Sequence, residues 1–119
     1  MYKIVYYKDA KGREPVKDFL DELEKRKDKD SKINFNKSRS LIRKLALEGL
    51  NLGMPYIRRI RGDLWELRPM RNRIFFFGFN NDCFVLLHQY YKRTKKTPIS
   101  EIEKAEKEMF EFKKGVENE

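Results

Sequence analysis

The chain has 119 residues, 39% hydrophobic and 39% charged, and its 28 Lys and Arg against 19 Asp and Glu give a formal net charge of +9. That length holds one hydrophobic core and not two, and nine Phe, six Tyr and one Trp supply enough apolar area to exclude a disordered polyelectrolyte. With one cysteine, no apolar stretch of membrane-spanning length and no signal-peptide pattern in MYKIVYYKDAKG, a single cytoplasmic domain over residues 1–119 is expected.

Tyr2 to Tyr7 alternate in the β sense and read as a first strand, followed by a turn at Asp9 to Gly12. Pro15 suits a first helical position, and Val16, Phe19, Leu20 and Leu23 fall on one helical face, which predicts a helix from Pro15 to Arg26. The charged run from Lys25 to Lys32 reads as a solvated connection. A second helix is predicted from Asn34 to Glu48, with Leu41, Ile42 and Leu45 inward and Gly49 at its end.

After Gly53 and Pro55 the periodicity turns from helical to β through IRRIRG, DLWELRPM, NRIFFFGF and CFVLLHQYYKR. Three antiparallel strands in a meander are expected, turning near Pro69 to Asn72 and at Asn80 to Asp82. Thr97 reads as an N-cap before Pro98, and Ile102, Ala105, Met109 and Phe112 form the apolar stripe of a third helix whose tail frays from about Lys114. The expected fold is α+β: a twisted four-stranded, mainly antiparallel sheet with an N-terminal helical hairpin and a C-terminal helix on one face, the other face open.

The charge is concentrated. Between Tyr56 and Thr97 the ten bases Arg58, Arg59, Arg61, Arg68, Arg71, Arg73, Lys92, Arg93, Lys95 and Lys96 face only Asp63, Glu66 and Asp82, so these forty-two residues carry +7 of the chain's +9. A sheet with so cationic a polar side is suited to a polyanion, and nucleic acid is the nearest one in any cell.

Pairing Arg68 with Arg73 across the Pro69 to Asn72 turn sets Glu66 opposite Phe75 and gathers these four side chains on one face, while Trp65, Leu67, Ile74 and Phe76 take the core side. Two guanidiniums directly opposed repel unless a phosphate lies between them; the plainer alternative is that they solvate an open face with Glu66 as partner. Strand four brings either His88, Tyr90 and Lys92 or Gln89, Tyr91 and Arg93 to that face, because the Asn80 to Asp82 turn can close with either parity. His88, the one histidine, is a candidate proton carrier or a satisfied core residue. Cations interleaved with tyrosines suit single-stranded or distorted RNA. The basic region has no Asp/Glu/His cluster, so neither a metal nor another cofactor is expected.

The strings LWELRPMRNRIFFFGF and LLHQYYKRTKKTPISEIEKAEKEMFEF, with the PVKDFLDEL helix, closely resemble the phage-derived branch of the HigB toxins in the RelE/ParE superfamily. WELR, the R-x-F-F strand and the aromatic-basic-KKTP junction are the most specific pieces. The resemblance implies a RelE/ParE-like fold and a ribosome-dependent endoribonuclease that enters the A site and cuts mRNA through attack of a ribose 2′-hydroxyl on its phosphate, without metal. It also implies a HigA-like helix-turn-helix antitoxin, in a hetero-oligomer that binds operator DNA through the antitoxin.

By that resemblance Arg73 matches the transition-state arginine, Arg68 a basic position before the turn, and Arg93 or Lys92 the basic group ending strand four. Leu64 and Glu66 stand where RelE-type relatives carry lysines, and Ile99 near a tyrosine, so the general acid and base do not transfer. Glu66 is the candidate acceptor of the 2′-hydroxyl proton, with Tyr91, His88 or Lys92 as donor. Arg58, Arg59, Arg61, Tyr90, Lys95 and Lys96 are candidate RNA contacts. The alternatives are a ParE-like poison of DNA gyrase and an RNA-binding phage accessory protein.

Overall fold

A computed structural model describes residues 1–117. Five strands form, β1 (Lys3–Tyr6), β2 (Ile57–Arg61), β3 (Leu64–Leu67), β4 (Asn72–Phe79) and β5 (Cys83–Tyr91), with three α-helices, α1 (Pro15–Lys25), α2 (Lys29–Glu48) and α3 (Ile99–Glu117). The strands make one sheet in the order β1-β5-β4-β3-β2. Its β2 to β5 portion is an antiparallel meander, and β1 lies parallel to β5 with Lys3 opposite Cys83. The fold is α+β and the sheet mainly antiparallel, as expected, but it has five strands rather than four and includes one parallel pair. The extra strand arises at Gly62, whose φ of +55° lets Gly62 and Asp63 turn the chain between paired Arg61 and Leu64.

The helices occupy both faces, which corrects the expectation of an open one. Val16 and Leu20 of α1 and Leu41, Ile42 and Leu45 of α2 pack on Ile57, Leu67, Ile74, Phe76, Phe84 and Leu86. On the opposite face Ile102 and Ala105 of α3, flanked by Met109 and Phe112, cover Leu64, Phe75, Phe77, Val85 and Leu87. An amphipathic stripe specifies that α3 must bury a face, not which side of the sheet receives it. A central sheet this apolar on both sides requires cover on both.

Two helix ends also move. Asp28 caps α2 by accepting hydrogen bonds from the Ser31 N–H (2.9 Å) and Ser31 Oγ (2.8 Å), so the helix begins inside the charged run expected to be a solvated connection. These bonds hold the Asp28 carboxyl below the ordinary carboxylate range. At α3 the Pro98 carbonyl accepts from the Glu101 and Ile102 N–H groups, while the Thr97 hydroxyl accepts from Arg58 Nη2 at 3.4 Å. The expected fraying from Lys114 gives way to helix through Glu117, and residues 118–119 lie outside the described residues. Among the described residues no helix is long and apolar enough to cross a membrane.

One irregularity positions the site. Phe76 pairs with Leu86, yet Ile74 pairs with Gln89, so Leu87 and His88 of β5 together oppose Phe75 of β4. This bulge shifts the side-chain alternation of β5 by one residue and turns His88 and Tyr90 to the α3 face. The register that sequence left open is therefore the one presenting His88, Tyr90 and Lys92.

Candidate functional site

The β3–β4 hairpin builds the site. Leu67 pairs with Ile74 and Glu66 with Phe75, and Leu67 and Ile74 go to the α1–α2 core as their alternation requires. Glu66 then points to the other face, where its Oε2 receives three guanidiniums: Arg58 Nε at 3.3 Å, Arg68 Nε at 3.6 Å and Arg73 Nε at 4.0 Å. Arg68 and Arg73 thus share one face, as expected, and Arg58, expected as an outlying RNA contact, joins them from β2. Glu66 is 1% exposed. Neither of its oxygens, nor any of the three Nε atoms, completes a hydrogen bond within the protein.

Arg73 is the most firmly held. Its Nη1 donates to the carbonyls of Met70 (2.7 Å) and Asn72 (2.8 Å), and its side chain is 8% exposed. Met70 presents its carbonyl from a backbone with φ +56°, a region L residues with side chains occupy at some cost. Burial, then the charge of Arg68, pushes the Arg73 guanidinium below the ordinary arginine value, while Glu66 opposes the shift.

Strand β5 completes the cluster. Tyr90 lies opposite Arg73 and stacks on Phe75 with ring centroids 5.5 Å apart, and burial pushes its phenol up. Beyond it the Lys92 N–H donates to the Arg71 carbonyl at 2.7 Å, which fixes the end of the strand against the hairpin turn. Lys92 remains partly exposed, and its ammonium is held below the ordinary lysine range by partial desolvation and then by Arg73 and Arg68, against a raising effect of Glu66. Arg71, Arg73, Lys92, Arg93, Thr94 and Lys95 line an open cleft of about 410 Å³. Arg58, Arg59, Lys95, Lys96 and Thr97 border a second, of about 380 Å³. Lys95 belongs to both, so the two form a continuous cationic border.

Four cations, Arg58, Arg68, Arg73 and Lys92, thus surround one carboxylate. The excess positive charge is held at its centre by the tethered Arg73 and is partly desolvated, an arrangement that favours a phosphate and still more a phosphorus centre gathering charge.

Other candidates fall elsewhere. His88 is 2% exposed, its Nδ1 2.5 Å from Glu108 Oε1 and its Nε2 3.0 Å from Glu101 Oε1, so both ring nitrogens are occupied by carboxylates of α3. Tyr91 takes the opposite side of β5 from Tyr90, where the guanidinium carbons of Arg71 and Arg93 each lie 5.6 Å from its ring centre. Arg61 forms a two-pronged pair with Glu106 of α3 (2.6 and 2.9 Å), and Arg59 Nε donates to the Gly62 carbonyl at 2.8 Å. Glu66, the candidate proton acceptor, is buried with the three arginines drawn around its Oε2. Arg71 had no assigned role, although its place in the hairpin turn beside the end of strand four was the signal that it borders the site. Among the described residues no three His, Cys, Asp or Glu side chains are grouped to hold a metal ion.

No curated protein matches the chain. A family model does: residues 18–110 match phage derived protein Gp49-like (DUF891), a span that includes α2, the whole β2–β5 meander and most of α3. The arginine-bearing hairpin, the basic end of β5 and the helix that follows all lie within that match, and the chain belongs to the Gp49-like phage-derived family, a toxin-like family of the RelE/HigB type.

Proposed function

We propose that this protein is the toxin of a type II toxin–antitoxin pair, a HigB-like ribosome-dependent endoribonuclease that cuts mRNA in the A site without a metal. The observation that carries the reading is the pinned Arg73, facing Arg68 and Arg58 and opening beside Lys92 onto a cationic cleft. The 2′-oxygen bonds to the adjacent phosphorus as the bond to the 5′-oxygen breaks, and the departing 5′-oxygen takes a proton from solvent water in the open cleft, leaving a 2′,3′-cyclic phosphate and a 5′-hydroxyl. Arg73 and Arg68 stabilise the charge that accumulates on the nonbridging oxygens. Lys92, in its neutral form, takes the 2′-hydroxyl proton; its depressed ammonium pKa makes that form more accessible than in an ordinary lysine. Arg93, Lys95, Lys96 and Arg59 hold the RNA backbone on either side. A HigA-like helix-turn-helix antitoxin would neutralise the protein and carry the pair to operator DNA.

The test is a reconstituted translation system with primer-extension mapping of mRNA ends, and a gyrase supercoiling assay alongside. Cuts that appear only when ribosomes are present are the expected result. Intact mRNA with blocked supercoiling would replace this reading with gyrase poisoning.

A further inference from the structure

We infer that Glu66 is not a proton acceptor but a positioning residue: a buried counter-charge that gathers Arg58, Arg68 and Arg73 into one anion cradle while repelling the ground-state phosphate. The inference rests on the ribonuclease reading for its consequence on rate, not for its consequence on anion binding.

Three facts support it. Glu66 is 1% exposed and sits behind the guanidiniums, so a ribose hydroxyl cannot reach it without displacing them. All three Nε atoms converge on the same oxygen, Oε2, at 3.3 to 4.0 Å, and no Nε completes a hydrogen bond to it. The carboxylate therefore organises the arginines by charge and not by hydrogen bonds to their Nε atoms. Arg58 reaches it from β2, Arg68 from just past the end of Glu66's own strand β3, and Arg73 from β4 across the hairpin, so one carboxylate sets the spacing of groups from three successive strands. Without Glu66 three like charges would repel across the sheet face.

The Glu66→Gln variant separates the roles. Loss of the negative charge should tighten binding of a single-stranded RNA oligomer carrying one 2′-deoxy sugar at least threefold, since the ground-state phosphate no longer meets it. Cleavage by the same variant should slow by tenfold or more, because the arginines spread. Lys92 should also titrate at lower pH, read from its side-chain NMR resonance, as the raising effect of Glu66 disappears.

Unchanged or weaker binding together with an unmoved Lys92 titration would overturn the inference. Loss of the pH dependence of cleavage, with Lys92 unmoved, would restore Glu66 as the proton acceptor. If the wild-type protein cuts no RNA while binding and titration shift as stated, the ribonuclease reading fails and the counter-charge role stands. Should Glu66→Gln not fold, Glu66→Gln combined with Arg58→Gln restores the charge balance of the cluster; folding of that pair supports the inference and its failure to fold overturns it.

Discussion

Arg73 combines restraint with charge. A guanidinium tied to two carbonyls loses little freedom when a phosphate arrives, so its electrostatic benefit falls on the transition state rather than on ordering the side chain. Arg73→Ala should lower kcat of mRNA cleavage by roughly 100-fold to 1000-fold, about 2.7 to 4 kcal/mol by analogy with an oxyanion-hole donor. Ribosome cosedimentation should change little, and equal losses in binding and rate would assign Arg73 to docking instead. Lys92 carries the pH signature. Its native pKa lies below the ordinary lysine value near 10.5, so kcat/KM should climb with pH as the neutral amine accumulates and level off before that value. Lys92→Met should flatten the profile; a climb that persists would assign the proton to another group.

At the scale of elements, the β3–β4 turn and the β5 bulge decide which groups meet. Met70 holds a left-handed backbone with a side chain that is exposed, so Met70→Gly relieves strain of about 1–2 kcal/mol and gives back about 0.5–1 kcal/mol in unfolded-chain entropy. A net stabilisation of about 0.5–1 kcal/mol is expected in urea unfolding. Destabilisation would mean that the Met70 side chain supports the turn.

The same two features mark how far the sequence can be read. The grouping of Glu66, Arg68 and Arg73 was legible because strand alternation and one turn suffice to derive it. The partner side of β5 was not, since the bulge adds a residue that composition does not announce: LLHQYY reads the same with or without it. Nor could spacing reveal that Arg61 is neutralised by Glu106, forty-five residues away, or that His88 is enclosed by two α3 carboxylates. Those ties exist only once α3 has chosen a face.

Across the whole molecule, positive charge is unevenly available rather than merely abundant. Arg61 is spent on α3 and Arg58 is drawn toward Glu66, which leaves Arg93, Lys95 and Lys96 as the freer bases along the border of the two clefts. Replacing Lys95 and Lys96 together by Gln should weaken RNA binding uniformly across sequences, and lower the log–log salt slope by about 1.4 if each contacts one phosphate of a single strand. The cleavage rate at saturation should hold. A slope that stays unchanged would place the strand elsewhere on the surface.

The parallel pairing of β1 with β5 has a temporal consequence. Lys3 waits for Cys83, so β1 finds its neighbour only after the meander has been made, and long-range closure of this kind is slow compared with local hairpins. That neighbour, β5, delivers Tyr90 and leads into Lys92. Until β5 has followed the hairpin, the arginines consequently lack the side of the site that Tyr90 and Lys92 supply, and the cleft cannot be completed strand by strand.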